Sequence, residues 1–161
     1  MEITFDNIYD YLEANKSKLN FIPRTDISTQ FGECRFCTLF SDKHRDDIPA
    51  EVRDFLIKAF NITERDFDFL QIQKYEIGDY ILPHKDTYPC FGLVMLSTST
   101  LDGLVVEQMD GSYKFYQDKA GTFIDIPKFR WHWVNPVREK TRYTAVYGLT
   151  PLSDYDEILD Q

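Results

Sequence analysis

No stretch of this 161-residue sequence approaches the roughly 18 consecutive apolar residues that a membrane-crossing helix needs. The opening segment, MEITFDNIYDYLEANK, carries neither the basic n-region nor the apolar h-region of a secretory leader. Basic residues are in deficit, 18 Lys and Arg against 27 Asp and Glu, for a formal charge of −9. That balance argues against coating nucleic acid or an anionic membrane through bulk electrostatics, and leaves room only for a local basic patch. Gly and Pro number 7 each, too few for a disordered or fibrous chain. Cysteine is scarcer still, and the odd set Cys34, Cys37 and Cys90 suits a reducing compartment better than a disulfide framework. Cys34-Arg35-Phe36-Cys37 lacks a second Cys-x-x-Cys. If 34–40 is a strand, its thiols point to opposite faces, as small buried hydrophobes rather than a metal half-site. These absences predict a soluble, intracellular, cytoplasmic protein with no membrane partner.

What is present is an aromatic-rich globule, 43% hydrophobic and 16% aromatic, of the size of one domain over 1–161. Its character changes near residue 70. Over 1–68 the pattern is helical and mixed. Phe5, Ile8, Tyr9, Leu12 and Leu19 recur at near-helical spacing with Asp6 available as a cap, and Val52, Phe55, Leu56 and Phe60 form an apolar stripe after Pro49. Residues 21–43 carry short β-type runs with no readable role. Over 69–150, β-rich runs alternate with turn residues every 8 to 12 positions, the signature of a barrel or sandwich. The runs are 70–76, 80–82, 91–96, 104–109, 113–116, 122–126, 131–137 and 142–149. Asp110-Gly111 between two of them predicts a two-residue hairpin. Eight strands behind helices predict a mainly β fold, a jelly roll (double-stranded β-helix) supported by N-terminal helices. Residues 151–161, with Asp154, Asp156, Glu157 and Asp160, read as an acidic end.

Histidine is as scarce as cysteine, and the three are His44, His84 and His132. His44 reads as a solvated loop residue. In extended backbone, His84 and Asp86 share a face with Cα atoms about 6–7 Å apart, close enough to hold one ion. His132, on another strand, would complete two imidazoles and a carboxylate, the facial triad of non-haem Fe(II). The other reading is a surface His–Asp pair before Pro89, with His132 packed between Trp131 and Trp133.

The last run adds a constraint. Arg142, Thr144 and Val146 face one way, while Tyr143, Ala145 and Tyr147 face the other. If Ala145 and Tyr147 pack against helices, Arg142 points into the barrel, where an unpaired guanidinium costs several kcal/mol. No acid lies within its strand. A ligand carboxylate gripped by Arg142 and bonded by Thr144 would satisfy it. The alternative places Arg142 on the surface with Arg138 and Lys140.

Gln71-x-x-x-Tyr75-x-x-Gly78, His84-Lys85-Asp86, Gly103-Leu104, Gly121, His132-x-x-x-Pro136-Val137 and Thr141-Arg142-Tyr143-Thr144 together resemble the prolyl-hydroxylase-type branch of the Fe(II)/2-oxoglutarate-dependent dioxygenases. The resemblance spans residues 71–149 and includes a basic residue ten positions after the second histidine. It implies His84, Asp86 and His132 as iron ligands and Arg142 as anchor of the 2-oxoglutarate C5 carboxylate, with Thr144 as hydroxyl partner. Tyr75 would line the cosubstrate pocket. It further implies O2 as co-reactant, ascorbate as a stimulating reductant, and release of succinate and CO2. Two features depart from the family pattern. No tyrosine stands in 91–98, where Ser97 or another group would have to substitute, and Asp102-Gly103 replaces a common pair of glycines.

The resemblance favours a protein or peptide side chain as substrate, with a free amino acid or small metabolite next. A nucleic-acid base comes third. Residues 128–142 hold five basic residues and one acid, interleaved with Phe129, Trp131 and Trp133, a pattern that can stack bases. In a regular strand, however, the tryptophans face away from His132 and pack outside. A non-enzymatic ligand-binding jelly roll is the remaining class.

Overall fold

The structure is a computed structural model describing residues 2–24, 28–29, 32–85, 90–126 and 129–148. Asp86 and the acidic end, 151–161, lie outside the described residues, as does Lys128 of the basic run.

Two helices precede the strand-rich half: α1 (Ile8–Asn15) and α2 (Ala50–Phe60). In α1, Ile8 and Leu12 are one turn apart and both fully buried. Asp6 is not its cap. Asn7 occupies that position, and its side chain turns backwards, accepting from Thr4 N at 2.8 Å and donating to Glu2 O at 2.7 Å. Leu19 falls beyond the helix. The second helix follows Pro49 as expected and buries Val52 and Leu56. It ends at Asn61, whose left-handed backbone (φ 56°) sends its N–H back to Ile57 O and Lys58 O.

Residues 21–43 form strands: β1 (Ile22–Arg24), a small hairpin of β2 (Ser28–Thr29) and β3 (Gly32–Glu33), and β4 (Phe36–Asp42). All eight expected runs beyond residue 69 are also strands. They are β5 (Phe69–Tyr75), β6 (Ile81–His84), β7 (Cys90–Met95), β8 (Gly103–Glu107), β9 (Tyr113–Gln117), β10 (Phe123–Ile124), β11 (His132–Val134) and β12 (Arg142–Gly148). A six-stranded sheet has the order β1-β4-β5-β12-β7-β10 and a four-stranded sheet the order β6-β11-β8-β9, every pair antiparallel. From β5 onward the chain winds between the two sheets, which makes this a double-stranded β-helix. The unreadable stretch therefore widens the larger sheet, with β4 pairing β5 from Cys37↔Lys74 to Asp42↔Phe69.

Two cores follow from the period-2 alternation of β12. Tyr143 and Ala145 face the helices, joining Ile8, Leu12, Val52 and Leu56. Val146 faces between the sheets, joining Tyr75, Met95, Leu104, Val106 and Val134. Arg142 and Thr144 share that inner face and are fully buried, so the surface reading of Arg142 is wrong.

Local details differ from expectation at the β8–β9 turn. Asp110-Gly111 belongs to a longer loop: Gly111 N bonds Gln108 O at 3.0 Å, Gln108 N bonds Ser112 O at 2.7 Å, and Gly111 has φ 84°. This is the three-residue hairpin with a left-handed glycine rather than the two-residue form. Met109 sits at this tip and is 89% exposed, whereas Met95 is fully buried. Gly103 has a sharper reason. A Cβ there would stand 2.1 Å from Tyr116 O on the paired strand, so no side chain fits at this β8–β9 crossing.

Candidate functional site

His84 ends β6 and His132 begins β11, and the antiparallel register sets them directly opposite each other. Their ring centroids are 4.1 Å apart at 57°. In each ring Nδ1 lies 2.9 Å from a backbone carbonyl two residues earlier, Leu82 O for His84 and Arg130 O for His132. A carbonyl oxygen only accepts, so each Nδ1 carries the proton and each lone pair lies on Nε2, the tautomer a metal ligand requires. Sequence could not identify these carbonyls. Among the described residues no three His, Cys, Asp or Glu side chains gather as a metal site. The histidine pair is two-thirds of the expected triad, and Asp86 is the part not described.

Arg142 lies at the other end of the barrel interior. Its Nε donates to both carboxylate oxygens of Asp118 at 3.0 Å, and both residues are 1% exposed. Its guanidinium carbon sits 5.4 Å from the centroid of the Tyr75 ring. The anion that a buried guanidinium demands is thus partly supplied from within, by a residue 24 positions away on the loop after β9. Sequence reasoning missed Asp118 because Gln117-Asp118-Lys119 reads as an ordinary polar turn. The signal that could have found it was the buried cation's need for a partner. The pairing leaves a gap: among the described residues, two buried side-chain atoms lack a hydrogen-bond partner, Thr38 Oγ1 and Arg142 Nη2. An orphaned N–H on a buried cation is costly, and a second anion would satisfy it. The residues present therefore fit a ligand carboxylate.

Asp118 is braced on all sides. Its N–H bonds Asp102 O at 2.9 Å and its carbonyl accepts from Ser99 N at 3.1 Å. The Asp102 carboxylate in turn accepts from the backbone of Arg138 and Glu139, both at 2.9 Å, which explains an acid where two glycines were expected. Burial pushes the Asp118 carboxyl up from its ordinary value, while the Arg142 charge pulls it down and Asp102 adds to the rise.

Gln117 and Gly103 pair at the end of the smaller sheet opposite His132 and Val106. Asp118 follows Gln117 and bonds Asp102 O, so it lies beyond the Gly103 end of β8, away from Val106, the partner of His132.

The other expected residues divide. Tyr75 lies on the inner face, stacked on Phe36 with centroids 4.9 Å apart. Thr144 is on the same face, and its hydroxyl donates to Gln73 Oε1 at 3.2 Å. Donation to a ligand would require that proton to turn away from Gln73. The buried Ser97 hydroxyl accepts from Tyr143 N at 3.1 Å and donates to Tyr143 O at 3.4 Å, so it is engaged with the β12 backbone. Cys34 is buried and donates its thiol to Arg24 O at 3.2 Å, and burial pushes the half-buried Cys37 thiol up from its ordinary value.

The described residues of the basic run go to separate partners. Arg130 donates to Gln108 O, Arg138 donates to Leu101 O, Lys140 lies over Tyr9, and Arg142 is inside. The tryptophans lie outside the barrel as expected, Trp133 against Tyr113 and Trp131 under the Lys85 ammonium. Among the described residues no helix is long and apolar enough to cross a membrane.

No family model matches the sequence, and no curated protein matches it. Solved structures do. A prolyl-4-hydroxylase from Pseudomonas putida superposes with TM-score 0.64 at 15% identity, covering 91% of this chain and 86% of its own. An oxidoreductase of the 2OG-Fe(II) oxygenase family from Burkholderia pseudomallei superposes with TM-score 0.59 at 18% identity, covering 86% and 76%. At such identities the likeness is one of fold: this chain is built on the same double-stranded β-helix as a prolyl-4-hydroxylase and a 2OG-Fe(II) oxygenase.

Proposed function

We propose that this protein is an Fe(II)- and 2-oxoglutarate-dependent oxygenase that hydroxylates a C–H bond of a protein or peptide side chain. The observation that carries the reading is the orphaned Nη2 of buried Arg142, inside the same barrel whose other end holds two facing imidazoles with their lone pairs on Nε2. A carboxylate at one end and a metal at the other is the demand of a chelating 2-oxo diacid.

In this reading His84, His132 and Asp86 hold the iron, and Arg142 Nη2 takes the C5 carboxylate. The bound iron and 2-oxoglutarate supply O2 activation, coupling oxidative decarboxylation to succinate and CO2 with insertion of one oxygen atom into the substrate. The chain's own work is placement. Leu82 O and Arg130 O hold the ligand tautomers. Asp118 and Tyr75 fix the guanidinium plane, and Leu104, Val106, Val134 and Val146 keep water from the space between. Support for a peptide substrate comes from the fold shared with a prolyl-4-hydroxylase, and the scattering of the basic run weakens the nucleic-acid alternative.

The test is to incubate the Fe(II)-loaded protein with 2-oxoglutarate, O2 and ascorbate over a peptide library and to measure succinate together with a mass gain of one oxygen. Both should appear with wild type and vanish with His132→Ala. No 2-oxoglutarate consumption under any condition would overturn the oxygenase reading and leave a binding module. Consumption coupled only to free amino acids or other small metabolites would replace the peptide substrate.

A further inference from the structure

The Asp118–Arg142 pair does more than satisfy a buried cation. We infer that Asp118 couples binding of a dicarboxylate to uptake of one proton, so that the cosubstrate's distal carboxylate and the Asp118 carboxylate share one guanidinium and one proton. The inference rests on the 2-oxoglutarate reading above and concerns a residue which that chemistry does not require.

The geometry leads there. Asp118 takes Nε of Arg142 with both oxygens, leaving Nη2 for an incoming carboxylate. Before binding, the buried pair is neutral. After binding, two carboxylates flank one cation in a place 1% exposed, and the excess negative charge has no solvent to screen it. The charged groups around Asp118 are Arg142 from β12 and Asp102 from the segment before β8, with the Ser99 hydroxyl as a neutral donor. Asp102 adds to the repulsion, and its charge is already held by the backbone of Arg138 and Glu139. Burial has raised the Asp118 carboxyl before any ligand arrives. A second carboxylate on the same guanidinium raises it further. One proton from solvent on an Asp118 oxygen restores neutrality, while the other oxygen still accepts from Nε.

Linkage fixes the sign. Because the occupied site holds the proton more tightly than the free one, affinity falls as pH rises between the two Asp118 pKa values, by up to tenfold per pH unit. A site in which Asp118 only orients Arg142 has no such slope.

The experiment is anaerobic calorimetry of Fe(II)-loaded protein titrated with 2-oxoglutarate from pH 6 to 8. Two buffers of different ionisation enthalpy are used, with 2-oxopentanoate, which lacks the distal carboxylate, as control. The expected result is proton uptake approaching one for 2-oxoglutarate beyond that for 2-oxopentanoate, and an affinity that weakens with pH. In Asp118→Asn both the uptake and the slope should vanish. Binding of 2-oxoglutarate without extra uptake overturns the coupling and leaves the oxygenase reading standing. An Asp118→Asn protein that loses affinity equally at every pH also overturns it, assigning Asp118 to orientation alone. If that variant does not fold, the wild-type uptake decides by itself. Failure of 2-oxoglutarate to bind at all overturns both readings.

Discussion

Removing one member of the Asp118–Arg142 pair should be far more damaging than removing both. Each residue is 1% exposed, and the partner left behind would be a charge with neither solvent nor counter-ion. Breaking such a pair costs about 3–5 kcal/mol, while replacing the whole pair by apolar groups of similar volume is near neutral. Arg142→Met and Asp118→Leu should therefore each lower stability by about 3–5 kcal/mol. With about 2–4 °C per kcal/mol for a chain of this size, the melting temperature should fall by about 6–20 °C. Arg142 carries an extra contribution of about 0.5–2 kcal/mol from its place over Tyr75, so its loss should be the larger. The double variant Asp118→Leu/Arg142→Met should recover to within about 2 kcal/mol of wild type. Urea denaturation of all four proteins at pH 7 measures the cycle. If the two single costs simply add in the double variant, the residues are not a coupled buried pair, and the account of the barrel floor fails.

The remaining predictions concern the site and its frame. Either His84→Ala or His132→Ala should weaken Fe(II) binding at least about a hundredfold, read by equilibrium dialysis, whereas Arg142→Met should keep iron and weaken 2-oxoglutarate by about a hundredfold. Thr144→Val should weaken 2-oxoglutarate only a few-fold, because that hydroxyl donates to Gln73; a loss as large as that of Arg142→Met would contradict this. Gly103→Ala should cost more than about 2 kcal/mol in denaturation, since its Cβ has no room beside Tyr116 O. Glu76 gives a pH signature. Burial alone would raise its carboxyl, but bonds from Lys16 and Thr141 and the charges of Lys16 and Lys74 hold it below its ordinary value of about 4.3. Its contribution is thus present above pH 4.3 and lost as pH falls through the lower folded value, so Glu76→Gln should be destabilised at pH 7 and converge on wild type near pH 3.

The strand-rich half was legible because its signals are local. Turn residues punctuate β5 to β12, and the alternation along Arg142, Tyr143, Thr144 and Ala145 assigns each side chain to one of two cores. The opposition of His84 and His132 was legible as a spacing, though not as a contact; that needed the β6–β11 register. What escaped was long-range. Asp118 meets Arg142 only after the sheets close, and nothing in Gln117-Asp118-Lys119 marks it as buried. Strand β4 was obscured because its identity comes from pairing with β5, not from its own pattern. Closeness along the chain did not carry over into space for Arg130, Arg138, Lys140 and Arg142, which go to a hairpin carbonyl, a loop carbonyl, a tyrosine ring and the barrel interior.

The central claim is that one barrel holds a metal at the histidine end and a 2-oxo diacid between that metal and Arg142. The most direct measurement is the visible absorption spectrum of the apo-protein titrated anaerobically with Fe(II) and then with 2-oxoglutarate. The account predicts a weak metal-to-ligand charge-transfer band that requires both additions, is absent from His84→Ala and His132→Ala, and needs far more 2-oxoglutarate in Arg142→Met. A spectrum unchanged by 2-oxoglutarate in the iron-loaded wild-type protein would contradict it.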